Sequence, residues 1–148
     1  MADIRFYHME RSGLDQVLPQ LLGKALQGGH KIVVRCAHEA EAERLSAHLW
    51  SFDAASFLPH GSKKDGHGEA QPIWLTAEND VPNDAGVLIL TGGVEAEDTD
   101  QFEMVCDMLN GHDPQAVDAA RARWKLYKEA GHDVTYWQQG DKGWEKKA

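Results

Sequence analysis

Residues 31–37 have the sequence KIVVRCA, a short run that is rich in β-branched side chains. The pair Gly28-Gly29 precedes the run, and apolar residues then recur at helical spacing from Glu39 to Trp50. A compact apolar run bounded by glycines is typical of a buried strand, and the spacing of the following segment is typical of an amphipathic helix. This stretch therefore predicts a strand followed by a helix.

The residues before this stretch predict the same order of elements. Residues 4–9 alternate between two faces and are rich in aromatic side chains, which favours a first strand. Residues 14–26 carry apolar side chains every three or four positions, which favours a helix that ends at Gly28-Gly29. Within it, Pro19 is tolerable only near the first turn. The chain is thus expected to open with the order β-α-β-α.

The C-terminal half is expected to continue the pattern after a long loop over residues 57–71, which is rich in glycine and contains Pro59. Residues 72–76 and 87–90 are compact apolar runs that predict buried strands. Residues 98–109 place apolar side chains on one helical face, which favours a helix. A last helix is expected to begin at Asp113-Pro114 and to end at Gly131.

Strands that alternate with helices of this length favour a mostly parallel sheet, because right-handed crossovers place helices over its faces. The sequence therefore predicts an α/β protein with a single-domain, three-layer, Rossmann-like fold. We expect residues 1–137 to form this domain and residues 138–148 to form a polar, flexible tail. The tail leaves Trp144 without an assigned role.

Composition limits the possible functions. A length of 148 residues with 42% hydrophobic content is enough for one core. A net charge of −9 and a pI near 5.3 argue against a protein that mainly neutralises DNA phosphates. Cys36 and Cys106 are far apart and are expected to be buried thiols in a reducing compartment. The N-terminus, MADIRFYHME, lacks a secretory signal, and no stretch approaches the roughly 20 apolar residues of a membrane span. We therefore expect a cytoplasmic protein with no membrane partner.

Motifs of cofactor chemistry and catalysis are missing from the sequence. No GxGxxG follows the first predicted strand, and no GxxxxGK[ST] occurs. A metal site could be built from His60, Asp65, His67 and Glu69, but their spacing matches no common ligand pattern and loop residues of this kind are usually solvated. No serine lies in a GxSxG turn. We expect no cofactor, no metal and no catalytic residue.

A basic segment lies near the C-terminus, where Arg121, Arg123, Lys125 and Lys128 fall within eight residues of an acidic protein. Helical spacing puts Arg121, Trp124, Lys125 and Lys128 on one face, because they are three or four positions apart. An aromatic ring between cations suits an anionic peptide with an apolar anchor. The alternative is a solvated helix face with Trp124 turned into the core.

Several segments together resemble the chi subunit of bacterial DNA polymerase III. They are Phe6-Tyr7, Leu49-Trp50, SFLPHG at 56–61, Pro72-Ile73 and ARARWKLYKEAG at 120–131. The resemblance spans almost the whole chain, and the LW and FLPHG block followed by the basic segment is its most specific part. It implies a clamp-loader accessory subunit without enzymatic activity, whose Rossmann-like fold binds no nucleotide.

The resemblance also implies two binding surfaces. The helix that carries Arg121, Trp124, Lys125 and Lys128 would bind the acidic, phenylalanine-terminated C-terminal tail of single-stranded-DNA-binding protein, with Arg121 on the terminal carboxylate. The family often has tyrosine where this chain has Trp124. Association with single-stranded DNA would then be indirect, through the tail-bearing partner.

The second implied surface would dock the psi subunit, or an equivalent clamp-loader component. The matching positions are Trp50, Phe57, Leu58 and Pro59. For Trp50 the alternative is packing in the core, where a tryptophan at a helix end is often found. Phe57 lies in an irregular segment, where an exposed aromatic side chain could anchor a partner.

Two other classes of function remain open. A Rossmann-like nucleotide- or metal-dependent enzyme of unknown substrate would bind its ligand in the loops at the carboxyl ends of the strands. A helicase-like remnant that binds single strands directly would need a basic groove with stacking aromatic residues, against which the acidic composition counts.

Overall fold

The computed structural model describes residues 2–51 and 59–148. Strands and helices alternate along the chain, as the sequence predicts. The elements are β1 (Asp3–Met9), α1 (Leu14–Gln27), β2 (Ile32–Arg35), α2 (Glu39–Ser51), β3 (Gly61–Ser62), β4 (Ile73–Thr76), β5 (Val87–Leu90), β6 (Met104–Asn110), α3 (Pro114–Glu129), β7 (Asp133–Gly140) and β8 (Gly143–Lys146).

The described strands form one sheet of eight strands in the order β3-β4-β2-β5-β6-β1-β7-β8. Neighbouring strands run parallel from β3 across to β7, and β8 is antiparallel to β7. Helices α1 and α2 pack with one apolar cluster of the sheet, and α3 packs with a second cluster. The predicted mostly parallel, three-layer α/β fold is confirmed.

Side-chain alternation along β1 connects the two clusters. Ile4 and Phe6 lie in the α3 cluster, whereas Tyr7 and Met9 lie in the cluster with α1 and α2. Successive residues of a strand point to opposite faces, so a central strand of a covered sheet is buried on both. The core is therefore two layers of apolar side chains, one on each face of the sheet.

Strand β2 is an apolar run with one charged residue at its end. Arg35 in β2 is fully buried, and its Nη1 and Nη2 atoms each lie 2.7 Å from a carboxylate oxygen of Asp98. A buried charge requires such a partner, because the desolvation cost is otherwise several kcal/mol. The bidentate contact lets a guanidinium occupy the end of a buried strand.

The prediction of a helix over residues 98–109 is wrong. This segment contains a 3-10 turn at Thr99–Gln101 and then strand β6, which pairs with both β1 and β5. Val105, Cys106, Met108 and Leu109 are all buried. A strand covered on both faces has apolar residues at nearly every position, so some of them also match helical spacing.

Residues 138–148, which the sequence predicts to be a polar, flexible tail, contain the end of β7 and the whole of β8. β7 continues to Gly140, and the chain turns back into β8, so that Trp137 pairs with Lys146 and Gln139 pairs with Trp144. Trp144 packs against the α1 side of the core, with its ring centre 5.0 Å from that of Tyr7. The hairpin is polar on its exposed positions. It joins the sheet through the pairing of β7 with β1 and through the packing of its aromatic side chains.

Two smaller features complete the architecture. The predicted loop contains the two-residue strand β3 in its described part, while its beginning lies outside the described residues. Within the described ranges, no helix combines the length and apolar character that crossing a bilayer requires.

Candidate partner-binding surfaces

Helix α3 is the element that carries the predicted basic face, and its two ends form as the sequence predicts. The Asp113 side chain accepts a hydrogen bond of 3.0 Å from the backbone N–H of Gln115, and Pro114 occupies the first turn. Gly131 follows the helix with a φ of 91°, a conformation that favours glycine. The ends fix which side chains of α3 face the sheet and which face solvent.

The basic face of α3 consists of Arg121, Trp124, Lys125 and Lys128. The Arg121 side chain is 74% exposed, and its Nη1 atom lies 3.8 Å from Oδ1 of Asp118, which is too long for a firm ion pair. Lys125 and Lys128 are exposed as well. The three cations are therefore accessible to an anionic ligand.

Trp124 has two roles that the sequence presented as alternatives. Its ring is half-buried against the α3 cluster, and the Nζ atom of Lys128 lies 4.8 Å from the ring centre. The Trp124 Nε1 atom is buried and has no hydrogen-bond partner in the described part of the chain. Trp124 thus anchors the helix to the core and still presents an aromatic surface among the cations.

Arg123 does not belong to the basic face, although the sequence places it in the basic segment. It is buried, and its Nε and Nη2 atoms donate hydrogen bonds of 2.7 and 3.0 Å to the Asp107 carboxylate in β6. One residue along a helix turns the side chain by about 100°, which is enough to move it from solvent to the sheet. The Arg123–Asp107 pair joins α3 to the centre of the sheet.

Tyr136 of β7 is a neighbour of the basic face that the sequence analysis did not single out. Its ring stacks on Phe6 at 6.1 Å, and its hydroxyl lies 2.7 Å from Nδ1 of His8. Burial raises the pKa of Tyr136, and the positive charge of Arg121 acts in the opposite direction. The run of β-branched and aromatic residues from Val134 to Trp137 was the signal that could have placed Tyr136 on a strand.

The second predicted surface is described in part. Trp50 at the end of α2 is 54% exposed, so it is not a core residue. Its ring lies 4.2 Å from the ring of His60, and His60 Nε2 is 2.9 Å from the carbonyl oxygen of Ser46. Pro59 is half-buried beside His60. Phe57 and Leu58 lie outside the described residues.

Ligand binding at the carboxyl ends of the strands is the rival prediction, and a cavity of about 890 Å³ is present there. Its lining includes Met9 at the end of β1, Asn110 at the end of β6 and the pair Gly92-Gly93 after β5. This is the place where open α/β sheets bind ligands.

The loop that would hold a phosphate in this cavity is already occupied by a side chain. Gln139 of β7 accepts hydrogen bonds at its Oε1 atom from the backbone N–H groups of Glu10, Arg11 and Ser12, at 3.1, 2.8 and 3.0 Å. Consecutive N–H groups before a helix are the donors that bind a dinucleotide phosphate in related folds. A phosphate would have to displace the Gln139 amide to reach them.

The residues considered for a metal site have separate roles. His60 contacts the Ser46 carbonyl, and the Asp65 carboxylate accepts a hydrogen bond from the backbone N–H of Ser62. Over residues 2–51 and 59–148, no group of three or more His, Cys, Asp or Glu side chains is placed to hold a metal ion.

Comparison with known proteins identifies the family. A family model described as "DNA polymerase III chi subunit, HolC" matches residues 1–135. A protein named "Probable DNA polymerase III subunit chi" from Rickettsia prowazekii is 31% identical over 90 residues, which cover 61% of this chain and 54% of that protein. Proteins named "DNA polymerase III subunit chi" are 27% identical over 120 residues in Pseudomonas aeruginosa and 26% identical over 126 residues in Escherichia coli. These matches cover 80% and 83% of this chain, and 82% and 84% of the two proteins.

The family match covers β1 to the start of β7, which includes α3 and the Trp50 surface. The family consists of subunits of a DNA polymerase and indicates an accessory role in DNA replication. This chain belongs to the DNA polymerase III chi subunit family.

Proposed function

We propose that this chain links the clamp loader of DNA polymerase III to single-stranded-DNA-binding protein by holding that protein's acidic C-terminal tail on the basic face of α3. One observation carries the proposal: Arg121 is 74% exposed beside a half-buried Trp124, and its acidic neighbour Asp118 is 3.8 Å away. A guanidinium without a firm partner is available to a ligand, and the ring next to it supplies an apolar wall.

The chemistry of Arg121 suits a terminal carboxylate. A guanidinium presents a planar fork of N–H donors that can hold both oxygens of a carboxylate at once. Asp118 offers weak competition, because its carboxylate is 77% exposed and the pair is screened by water. A peptide carboxylate in place of Asp118 could accept two hydrogen bonds from Arg121 at little cost to the protein.

The apolar side chain of the tail would rest on the aromatic surface between Arg121 and Lys128. Trp124 is held from below by the α3 cluster, so its ring loses little further freedom when a ligand binds. Tyr136 lies within electrostatic range of Arg121 and adds a second ring at this side of α3. Lys125 and Lys128 would contact the acidic residues that precede the end of the tail.

The charge distribution supports a peptide ligand over direct binding to DNA. The basic face is local, and the chain as a whole carries a net charge of −9. A phosphate backbone would be repelled by the rest of the surface, whereas a short acidic tail needs only a few cations. Contact with single-stranded DNA would therefore be made through the tail-bearing partner.

The Trp50 surface would join the chain to a psi-type subunit of the clamp loader. Trp50 is one of two large apolar side chains that are more than half exposed in the described part of the chain, the other being Leu126. An exposed tryptophan whose ring already lies against His60 is a suitable anchor for a pocket on a partner. Trp50 lies on α2, and the basic face lies on α3 across the sheet, so both partners could bind at once.

The proposal includes a cytoplasmic location, because bacterial DNA replication takes place there, and it includes no catalytic site in this chain. Calorimetric titration with ATP, NAD and divalent metals tests the rival enzyme hypothesis at the carboxyl-edge cavity. The proposed role predicts no saturable heat. Saturable binding that disappears on filling the cavity, for example in Ala119→Trp, would favour the enzyme.

The tail-binding proposal itself is tested with an acidic peptide that ends in phenylalanine. Micromolar binding, equivalent to about 8 kcal/mol, is expected for such a peptide at low salt. The same peptide with a C-terminal amide should bind more weakly, because Arg121 then loses a charged acceptor. Equal binding of the two peptides would show that the terminal carboxylate does not contribute to binding.

A further inference from the structure

On the face of the sheet that α1 and α2 cover, the sheet is wider than the two helices together. Eight strands at about 4.8 Å spacing span about 34 Å, whereas two helices of about 10 Å diameter cover about 20 Å. Among the described residues, a groove of about 420 Å³ lies beside α1 over the part that remains. Its floor includes Tyr7 of β1, Ile89 of β5 and Cys106 of β6.

One wall of the groove is α1 and the other is the C-terminal hairpin. Leu21 and Ala25 line it from the helix, and Trp137 of β7 and Trp144 of β8 line it from the hairpin. We call this feature the tryptophan groove. All four wall residues are half-buried, so each keeps apolar surface in contact with water. Such concentrated apolar surface is the kind that marks an interaction site.

The two tryptophans are held in place by neighbours. The Trp144 ring packs edge-on against Tyr7 with 5.0 Å between ring centres, and the Trp137 Nε1 atom donates a hydrogen bond of 3.0 Å to Oγ1 of Thr135. Pre-organised aromatic side chains lose little conformational entropy on binding and are enriched among residues that dominate interface energies. The two tryptophan side chains would therefore lose little conformational freedom when a partner binds.

The rim of the groove carries two cationic side chains, Arg5 and Lys24, and the ring of His30 also lines it. None of the described lining residues is an aspartate or a glutamate. Arg5 is bonded to Asp3, and His30 lies 3.7 Å from Glu103. Lys24 is exposed and has no ion pair in the described part of the chain. In a protein of net charge −9, this rim favours a ligand that brings a carboxylate to Lys24.

The dimensions of the groove indicate how a ligand would enter it. The lining residues from α1 and its C-cap run from Val17 to Gly28, a length of about 16 Å at about 1.5 Å per residue. A volume of 420 Å³ over that length gives a cross-section of about 26 Å². This is too narrow for a whole helix of about 10 Å diameter, but it fits a row of side chains.

We propose that the tryptophan groove docks an amphipathic helix of a protein partner, which inserts apolar side chains spaced at i, i+4 and i+7 and places a carboxylate beside Lys24. Such a row of anchors spans about 10 Å, which fits within the length of the groove. The groove lies on the opposite face of the sheet from α3, so this partner is independent of a ligand on the basic face.

The test uses a stapled 12-residue helical peptide with leucines at positions 2, 6 and 9 and glutamates beside them. The indole N–H resonances of Trp137 and Trp144 are followed by NMR, with Trp124 and Trp50 as internal references. We expect saturable shifts at Trp137 and Trp144, and no saturable shift when the three leucines are replaced by serine. Saturable shifts confined to Trp124 or Trp50, or no saturable binding, would overturn the proposal.

Two variants of the groove and one matched control outside it test the proposal further. Ala25→Phe fills the groove and should weaken peptide binding about tenfold, because the anchors lose their volume. Lys24→Glu should weaken it about twofold to fivefold, in the range of an exposed ion pair. Lys63→Glu makes the same change of charge at a site 67% exposed outside the groove and should leave binding within about twofold. Undiminished binding by Lys24→Glu and by a folded Ala25→Phe would contradict the proposal.

Discussion

The Nζ atom of Lys128 lies 4.8 Å from the centre of the Trp124 ring. A cation over an indole face is stabilised by the ring electrons, by about 0.5–1 kcal/mol when the pair is exposed. This contact places Lys128 on the aromatic surface. Arg121, about two turns earlier, has no equivalent contact among the described residues. On the basic face, Lys128 therefore already has a contact, whereas the Arg121 guanidinium is available to a ligand. Arg121 is the residue proposed to bind the tail.

The first prediction concerns Trp50. Trp50→Ala should cost less than about 1 kcal/mol of unfolding free energy, because more than half of the side chain is exposed, but it should weaken docking of a psi-type subunit by about 2 kcal/mol or more. Urea denaturation and calorimetry with the partner measure the two effects. Leu126→Ala is the matched control, because Leu126 is 55% exposed on α3. A similar loss of docking in both variants would contradict the assignment.

The second prediction concerns the buried pair of Asp107 and Arg123. Asp107→Ala or Arg123→Ala should each destabilise the protein by about 3–5 kcal/mol, since each leaves an uncompensated buried charge. The double variant Asp107→Leu/Arg123→Met should be more stable than either single variant. Urea denaturation of the three proteins measures this. Single variants as stable as the wild type would show that the pair is not buried.

The third prediction concerns acid stability and Asp98. Hydrogen bonding to Arg35 lowers the pKa of Asp98 below its ordinary value of 3.8. A depressed pKa contributes stability that is complete well above pH 3.8 and is lost as the pH falls through the folded-state pKa. Asp98→Asn should therefore be less stable at neutral pH and should lose less further stability on acidification. Denaturation at a series of pH values measures this, and a slope equal to that of the wild type would contradict it.

The fourth prediction concerns the two thiols, which are free and buried. Burial raises the pKa of Cys36 to about 11 and that of Cys106 to about 12, so neither forms appreciable thiolate at neutral pH. Iodoacetamide at pH 8 should leave both unmodified in the folded protein and should modify both in urea. Mass spectrometry distinguishes the outcomes. Rapid modification of the folded protein would show that the thiols are accessible.

Much of this architecture could be predicted from the sequence, because helices α1, α2 and α3 have amphipathic spacing and clear ends. Strand β6 could not, since a strand buried on both faces has no period that separates it from a helix. The hairpin was missed for a different reason. Its exposed positions are polar, and both the pairing of β7 with β1 and the packing of Trp137 and Trp144 involve residues far away in sequence.

The candidate site could be predicted only in part for the same physical reason. Helical spacing identified Arg121, Trp124, Lys125 and Lys128 as one face, because that relationship is local. The pairing of Arg123 with Asp107 and the position of Tyr136 beside Arg121 depend on how α3 lies on the sheet. A single sequence does not contain that information in its local pattern, and the structure supplies it.

The central claim is that Arg121 holds the terminal carboxylate of an acidic tail, and a double-mutant cycle tests it most directly. Calorimetry at low salt would compare wild type and Arg121→Ala with a phenylalanine-terminated acidic peptide as free acid and as amide. We expect Arg121→Ala to cost about 1.5–3 kcal/mol with the free acid and much less with the amide. An equal loss with both peptides, or no loss with either, would contradict the account.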